Sequence, residues 1–467
     1  MPSRTWIVAA VVCVFLVPAR RKVLAQSTAA DSGLSLVRAI AMAEAHAPRL
    51  RARESEVRGA AGGVSLSNQR LLPSLDVGAQ GVRATDNNVT GLLFPQSSLL
   101  PISGPVNKTA SGAMTYGSAA AATLSWSPFT FGQVGAERRE ARASLALAEG
   151  NESVALLDER TDVSVAYLDL LAFRELATVQ RQDLARAEAV LRSVRALTSN
   201  GLRPGVDSLL ANAEVSRARI DLLYAQRNAT NAGRRLGELL GIFGDLPPLD
   251  GRRFLTRTPD AMSAGAFAVA AHPRLRPFAA RIAVSDARQA ATARGVFPRI
   301  SFLAGLSARG SGISPDGTID RSLSSGLSFD RSNAALGVMM TLPVSDALFS
   351  HVRTSIESAR ADADRAEMAA EEDHLRAEAA AADANLETAL AAAREAPVQL
   401  AAGTAGYDQM NSRYSAGLAT LADLAQARFV LTRAEVDAVV TRLSAWRAWL
   451  DQCAARGDLT PFLASVR

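Results

Sequence analysis

Apolar residues recur every seven positions along two stretches of the chain, near residues 206–243 and 421–454. In the first stretch a row of small residues runs beside a row of larger ones. These rows are Ala211, Ala218, Ala225, Ala232 and Leu239, with Val215, Leu222, Ala229, Leu236 and Phe243. The second stretch places Ala422, Phe429, Val436, Leu443 and Leu450 beside Ala425, Thr432, Val439, Trp446 and Cys453. Five consecutive heptads predict helices that pack closely and nearly parallel to their neighbours, as in a coiled coil.

Each of these stretches follows a longer one that also has helical character. Residues 129–199 are helix formers without a proline, so one helix could extend for about 100 Å at 1.5 Å per residue. Residues 346–414 have the same character except at Pro397, where a kink or a break is expected. Such lengths exceed those of ordinary globular helices and predict two long helical hairpins.

Four short segments between the helices have a different pattern, either alternating or rich in Gly, Ser, Thr and aliphatic residues. They cover residues 75–85, 113–127, 300–310 and 334–342, and loops at 86–111 and 311–332 join them in pairs. Their length suits tilted strands that cross an outer-membrane-type bilayer, although surface hairpins of a soluble domain would explain the pattern nearly as well. Four strands leave open edges, which lipid does not tolerate, so membrane strands would require oligomerisation.

Three motifs occur twice in the same order, and each copy lies about 220 residues from the other. The sequence Pro-Arg-Leu-Arg follows Ala47 and again His272, and GLxxxxD begins at Gly201 and again at Gly417. The segment around Pro73 likewise has a counterpart around Pro298. The duplication predicts a first structural repeat over residues 26–250, a second over 251–457, and a C-terminal tail at 458–467.

The first 25 residues resemble a secretory leader. An apolar run follows Arg4, and Val23-Leu24-Ala25 forms a cleavage site, which predicts a signal peptide over residues 1–25. The basic cluster after the run, residues 20–22, is unusual and leaves a mis-assigned start codon or an N-terminal anchor open. The whole chain carries a net charge of +5, of which the leader supplies four positive charges. The nearly neutral remainder gives no electrostatic argument for nucleic acid as a partner.

The sequence contains very little that predicts catalysis. Its four histidines have no metal-binding spacing, and His46 and His272 beside the repeated Pro-Arg-Leu suit a turn or a helix start. Nucleophile-elbow, phosphate-loop and dinucleotide motifs are missing from the sequence. We therefore expect no enzyme activity, no catalytic residues, no cofactor and no bound metal.

The two GLxxxxD motifs lie where one long helix ends and the next begins. Gly201 and Gly417 suit the position after a helix, where left-handed backbone is easy for glycine. Asp207 and Asp423 then fall in the first turn of the returning helix, where the dipole favours an anion. A glycine in the turn and an acid at the helix start are explained by structure alone. A functional role for these residues and this purely structural role therefore both remain open.

In this arrangement the chain resembles the TolC-like outer-membrane efflux protein family. The signature at residues 124–132 is close to the family's L-S-x-P-L-F-x-x-G theme, and its second copy, residues 340–344, keeps Pro343 but lacks the glycine. The resemblance covers about residues 34–455. It implies a mostly α fold with a membrane β part: duplicated coiled-coil hairpins form a periplasmic α-barrel. Four strands per chain would contribute to a trimeric twelve-stranded β-barrel in outer-membrane lipid.

The resemblance also implies a function and a set of partners. The chain would be the passive exit duct of a tripartite efflux system in the cell outer membrane, working with a periplasmic adaptor and an inner-membrane pump. The adaptor-contact tips would be Gly201, Leu202, Asp207, Gly417 and Leu418. A protein-secretion exit duct is the alternative within the class, and a periplasmic coiled-coil adaptor or scaffold is the alternative outside it.

The family's pore-closing segment corresponds to residues 414–423. Tyr414 and Asp423 match its tyrosine and its constriction aspartate, and Gln426 stands where a second acid is found in the family. The resemblance therefore implies a pore constriction at Tyr414, Asp423 and Gln426. Ala419 replaces the basic residue of the family's latch, so neither that latch nor a doubled acidic ring is expected here.

Overall fold

The computed structural model describes residues 33–85, 114–200, 203–260, 267–312, 318, 320 and 322–466. The predicted signal peptide and the loop at 86–111 lie outside these residues. Gly201 and Leu202 of the first tip also lie outside them.

Four long helices dominate the structure and confirm the prediction from the heptad pattern. They are α3 (Gln133–Ser199), α4 (Gly205–Leu240), α8 (Val344–Ser415) and α9 (Leu421–Ala455). The 67 residues of α3 correspond to about 100 Å of helix. A kink or a break was expected at Pro397. The structure shows no break there, because α8 remains helical through that residue. The proline costs about 3 kcal/mol, and the packing of this helix along α9 over much of its length offsets that cost.

The long helices lie side by side in a fixed order. Helix α3 contacts both α4 and α9, and α9 contacts both α3 and α8. The two central helices, α3 and α9, therefore come from different hairpins, while α4 and α8 lie on the flanks. Small residues in the first pair of heptad rows allow this close approach, and Ala211 and Ala218 are almost fully buried. Near the second tip the predicted seam is wrong, because Ala422 and Phe429 are exposed and Leu424, Leu431 and Ala434 are buried instead.

One antiparallel sheet joins the two repeats at the opposite end from the hairpin tips. Its strands are β1 (Ser74–Thr85), β2 (Met114–Phe129), β3 (Arg299–Ser311) and β4 (Arg331–Thr341), in that spatial order. The register pairs Ser74 with Ser125, Gly117 with Ser311 and Arg299 with Thr341. The outer strands β1 and β4 each have one edge without a partner strand in this sheet. Within the described ranges, none of the helices combines the length and apolar character that a membrane span requires.

Shorter helices pack around the middle of the long ones. They are α1 (Leu36–His46), α2 (Pro48–Gln69), α5 (Arg252–Thr256), α6 (Leu275–Arg294) and α10 (Thr460–Ser465). Helix α7 (Leu323–Leu327) packs on the sheet, against β2 and β3. Helix α7 lies in the segment 311–332 that was expected to be a loop. The Tyr167 hydroxyl lies 2.9 Å from the carbonyl oxygens of both Leu34 and Asp250, which ties the first repeat's start to its end.

The main hydrophobic core lies at this level and is built around Tyr167, Phe254, Trp446, Trp449 and Phe462. Phe462 belongs to α10, within the segment 458–467 that was expected to be a tail. Its side chain is fully buried. The end of the chain is thus part of the packed core, because an apolar residue there finds a cavity between helices that lie far away in sequence.

Candidate functional site

The candidate site is the end of the molecule where both long hairpins turn. The second turn has the geometry predicted for it. Gly417 adopts a left-handed φ of 77°, and open space surrounds the position of a Cβ atom, so backbone conformation alone requires glycine. The N–H of Leu418 donates to the Arg413 carbonyl at 2.8 Å, and the N–H of Gly417 donates to Tyr414 at 3.0 Å. These two bonds form a Schellman motif that ends α8.

Arg203 binds the first tip to the second. Its Nη2 donates to the Ala419 carbonyl at 3.0 Å, and its guanidinium carbon lies 4.9 Å from the centre of the Tyr414 ring. A cation over an aromatic face is attracted by the ring quadrupole. Sequence reasoning missed this contact, because Arg203 lies in a variable position of GLxxxxD. The only available signal was a basic residue in the first tip opposite a tyrosine in the second.

Tyr414 lies inside the tip of its own protomer. Only 2% of its surface is exposed, and it packs in a cluster with Leu191, Val194 and Leu424. Burial raises its pKa, the nearby Asp207 carboxylate raises it further, and Arg203 opposes both. Asp207, which was predicted to contact an adaptor, is half-buried and lies near enough to Tyr414 to act on its pKa. In this conformation Tyr414 supports the tip from within the protomer.

Asp423 caps the first turn of α9. Its Oδ2 accepts bonds from the Thr420 backbone N–H at 2.9 Å and from the Thr420 hydroxyl at 2.7 Å. In return its backbone N–H donates to the Thr420 Oγ1 at 3.2 Å, which completes a capping box. These bonds, with Arg413 nearby, lower the pKa of the Asp423 carboxyl. The side chain is nevertheless fully exposed, and Oδ1 takes no part in the cap.

The structure thus separates the predicted site residues into two groups. Asp423, Gln426 and Leu418 are exposed at the second tip, where they are available to a pore or a partner. Tyr414 is buried and Asp207 is half-buried between the hairpins. Sequence spacing could not distinguish these groups, because all five residues lie within a few positions of a turn.

A buried ionic network joins three long helices a few turns above the tips. Arg428 of α9 is 8% exposed and reaches Glu214 of α4 at 2.5 Å and Asp183 of α3 at 3.6 Å. Asp183 also accepts the hydroxyl of Thr432 at 2.6 Å. Beside it, Arg186 pairs with Glu435 at 2.5 Å.

The network fixes α9 against the first hairpin, since charges buried this deeply are tolerated only with partners. Sequence reasoning missed it. Arg428 and Glu435 follow Leu421 at intervals of seven residues, so a charged row beside the apolar ones was the available signal.

Comparison with known proteins agrees with this architecture. Residues 39–242 match the profile of the outer membrane efflux protein family. No curated protein matches the chain significantly in sequence.

Several solved structures share its fold. A structure of CusC superposes with a TM-score of 0.74 at 15% identity and covers 91% of this chain and 92% of that one. A membrane protein from Pseudomonas aeruginosa gives 0.73 at 18% identity, covering 91% and 90%. The outer membrane protein VceC from Vibrio cholerae gives 0.71 at 16% identity, covering 91% and 96%.

The fold and the profile match define an outer-membrane channel protein with a long periplasmic helical extension. The match over residues 39–242 relates the chain to the outer membrane efflux protein family, and together with the shared fold it supports the function of an efflux exit duct. The predicted family, fold class and location are therefore confirmed. The secretion-duct, adaptor and scaffold alternatives are not favoured.

Proposed function

We propose that three copies of this chain form the passive outer-membrane duct of a tripartite efflux system. The observation that carries the proposal is the four-stranded sheet, whose strands β1 and β4 each keep one unpaired edge. Backbone groups that lack partners are costly in lipid, so each edge requires a strand from a neighbouring copy. Three copies would close twelve strands into a barrel without an edge.

The helical part supports the same assembly. Helices α4 and α8 lie on the flanks of the four-helix layer, and the free side of α4 exposes large apolar residues. These residues are Val206, Leu209, Leu210, Ile220, Leu223 and Tyr224. Burying side chains of this size contributes about 1.5–3 kcal/mol each. A neighbouring copy that covers this stripe would extend the layer into a closed tunnel below the barrel.

We assign the adaptor contact to the hairpin tips and the narrowest part of the entrance to Asp423 and Gln426. Leu418 is 70% exposed at the extreme end of the second hairpin, as a docking residue should be. Three Asp423 carboxylates around a threefold axis would concentrate negative potential and favour cations over anions. Tyr414 would hold the turn in position from inside the protomer. An inner-membrane pump would supply the energy, and the duct would carry out no chemistry.

Two measurements test the proposal. Light scattering of the detergent-purified protein should give the mass of a trimer, and a folded monomer would contradict the assembly. In planar bilayers, Asp423→Asn should reduce cation selectivity and block by a multivalent cation such as hexaamminecobalt. Asp207→Asn is the matched control, because Asp207 lies at the equivalent turn of the first hairpin but is half-buried. If both variants keep the selectivity of the parent channel, Asp423 acts only as a helix cap.

A further inference from the structure

Helix α9 has a single solvent face near the tip. Its two sides are occupied by α3 and α8 of the same chain, and Leu424, Leu431 and Ala434 are buried against them. The exposed positions recur at intervals of three and four residues, which places them on one stripe. They are Ala422, Asp423, Gln426, Phe429, Val430, Arg433 and Val440.

The chemistry of this stripe changes with distance from the tip. Asp423 and Gln426 are polar, whereas Phe429 and Val430, the next exposed residues, are 54% and 45% exposed. Further along, Arg433 pairs with Asp437 at 3.2 Å and returns the stripe to a polar character. Six to seven residues of helix place the apolar pair about 10 Å from Asp423.

One exposed phenylalanine on a soluble protein would carry no meaning, because isolated apolar side chains are common on surfaces. Here the position is coupled to Asp423. Val430 follows Asp423 by seven residues, so in a coiled coil the two lie on the same row and face the same side. Wherever the Asp423 carboxylates converge, the Val430 side chains converge as well, with Phe429 beside them.

We propose that Phe429 and Val430 of three protomers form an apolar collar about 10 Å inside the Asp423 ring. This inference rests on the proposed function, which places Asp423 in the lumen. Six apolar side chains in one plane resist wetting, so a narrow collar opposes the passage of hydrated ions. The same surface offers favourable contact to apolar groups. The collar therefore makes amphipathic organic molecules, rather than hydrated metal ions, the cargo class of this duct.

The test measures single-channel conductance in planar bilayers with potassium chloride, for one double variant and two controls. Phe429→Ser combined with Val430→Ser should raise single-channel conductance at least about twofold, since a polar collar stays hydrated. Val440→Ser is the matched control, because Val440 lies on the same stripe, is 41% exposed and is ten residues further from the tip. Its conductance should remain near that of the parent channel. Phe429→Leu should also stay near the parent value, since it keeps the collar apolar.

A thiol probe decides which way the stripe faces. Phe429→Cys should react with a charged methanethiosulfonate reagent, and the reaction should change the conductance. The native Cys453 gives little background, because it is buried and its pKa is raised to about 12. Modification without any change in conductance would place Phe429 on the outer surface and overturn the collar.

Asp423→Asn, recorded in parallel, separates the two proposals. If it reduces cation selectivity while the double serine variant leaves conductance unchanged, the collar alone is wrong. If neither Asp423→Asn nor the double variant has an effect, the lumen assignment on which both proposals rest is wrong. A conductance rise in the double variant that equals the rise in Val440→Ser would also contradict the collar, because the effect would then be general to the stripe.

Discussion

Arg428 holds the two hairpins together a few turns above their tips, and its removal should loosen them locally. In Arg428→Met the stem length is kept while the charge is lost. Breaking a deeply buried pair typically costs about 3–5 kcal/mol, because it leaves a buried charge without its partner. Here Asp183 keeps the Thr432 bond at 2.6 Å, and the side chain of Glu214 is 38% exposed to water. We therefore expect a smaller loss of local stability, about 2–3 kcal/mol per protomer.

Hydrogen exchange of the assembled protein in detergent measures this loss directly. Amide exchange follows the free energy of local opening, so 2–3 kcal/mol should accelerate exchange about 30- to 150-fold near the network. The affected peptides should lie in α3 and α9 around residues 183–194 and 424–435. Peptides of the main hydrophobic core around Tyr167 and Trp446 should keep their rates, because Arg428 does not belong to that core.

Arg219→Met is the matched control for this prediction. Arg219 of α4 pairs with Glu188 of α3 at 3.2 Å, within the first hairpin. The two side chains are 61% and 39% exposed. Exposed pairs contribute only about 0.2–1 kcal/mol, so exchange should rise less than about fivefold. Arg428→Lys should fall between the two, since it keeps the charge but loses the planar fork. Equal exchange in Arg428→Met and Arg219→Met would refute the network as an anchor.

Two further predictions concern a turn and a buried histidine. Gly417→Val should destabilise the second tip by roughly 1–2 kcal/mol, because left-handed backbone is strained for any residue with a Cβ. Faster exchange in the turn with an intact trimer would show this, and an unchanged turn would contradict it. Gly406→Ala is the control, because alanine is favoured inside a helix and should not loosen the turn. Burial and Arg274 hold the pKa of His272 below 6.5, so the unfolded chain binds its proton more readily. The stability that neutral His272 contributes should be complete above about pH 6.5 and decrease as the pH falls below it. Thermal unfolding of His272→Gln should therefore be less sensitive to acid than that of the parent protein. Equal acid sensitivity would show that His272 is not its source.

The sequence alone predicted the long helices and the strands of this protein and their order, but not the short helices α7 and α10. A seven-residue repeat predicts which face of a helix is buried, and the spacing of turn residues predicts the length of a strand. Both patterns are local in the sequence. For the same reason the left-handed turn at Gly417 and the acid at the start of α9 were predictable.

Only the tertiary structure decided which faces meet. Arg203 and Tyr414 are separated by about two hundred residues, and nothing local to either of them indicates that they stack. The network around Arg428 joins three helices in the same way, and Phe462 becomes a core residue only because distant helices leave room for it. Such contacts depend on the relative rotation of packed helices. That rotation is set by the sum of all side chains at the seam, and no single segment of the sequence contains it.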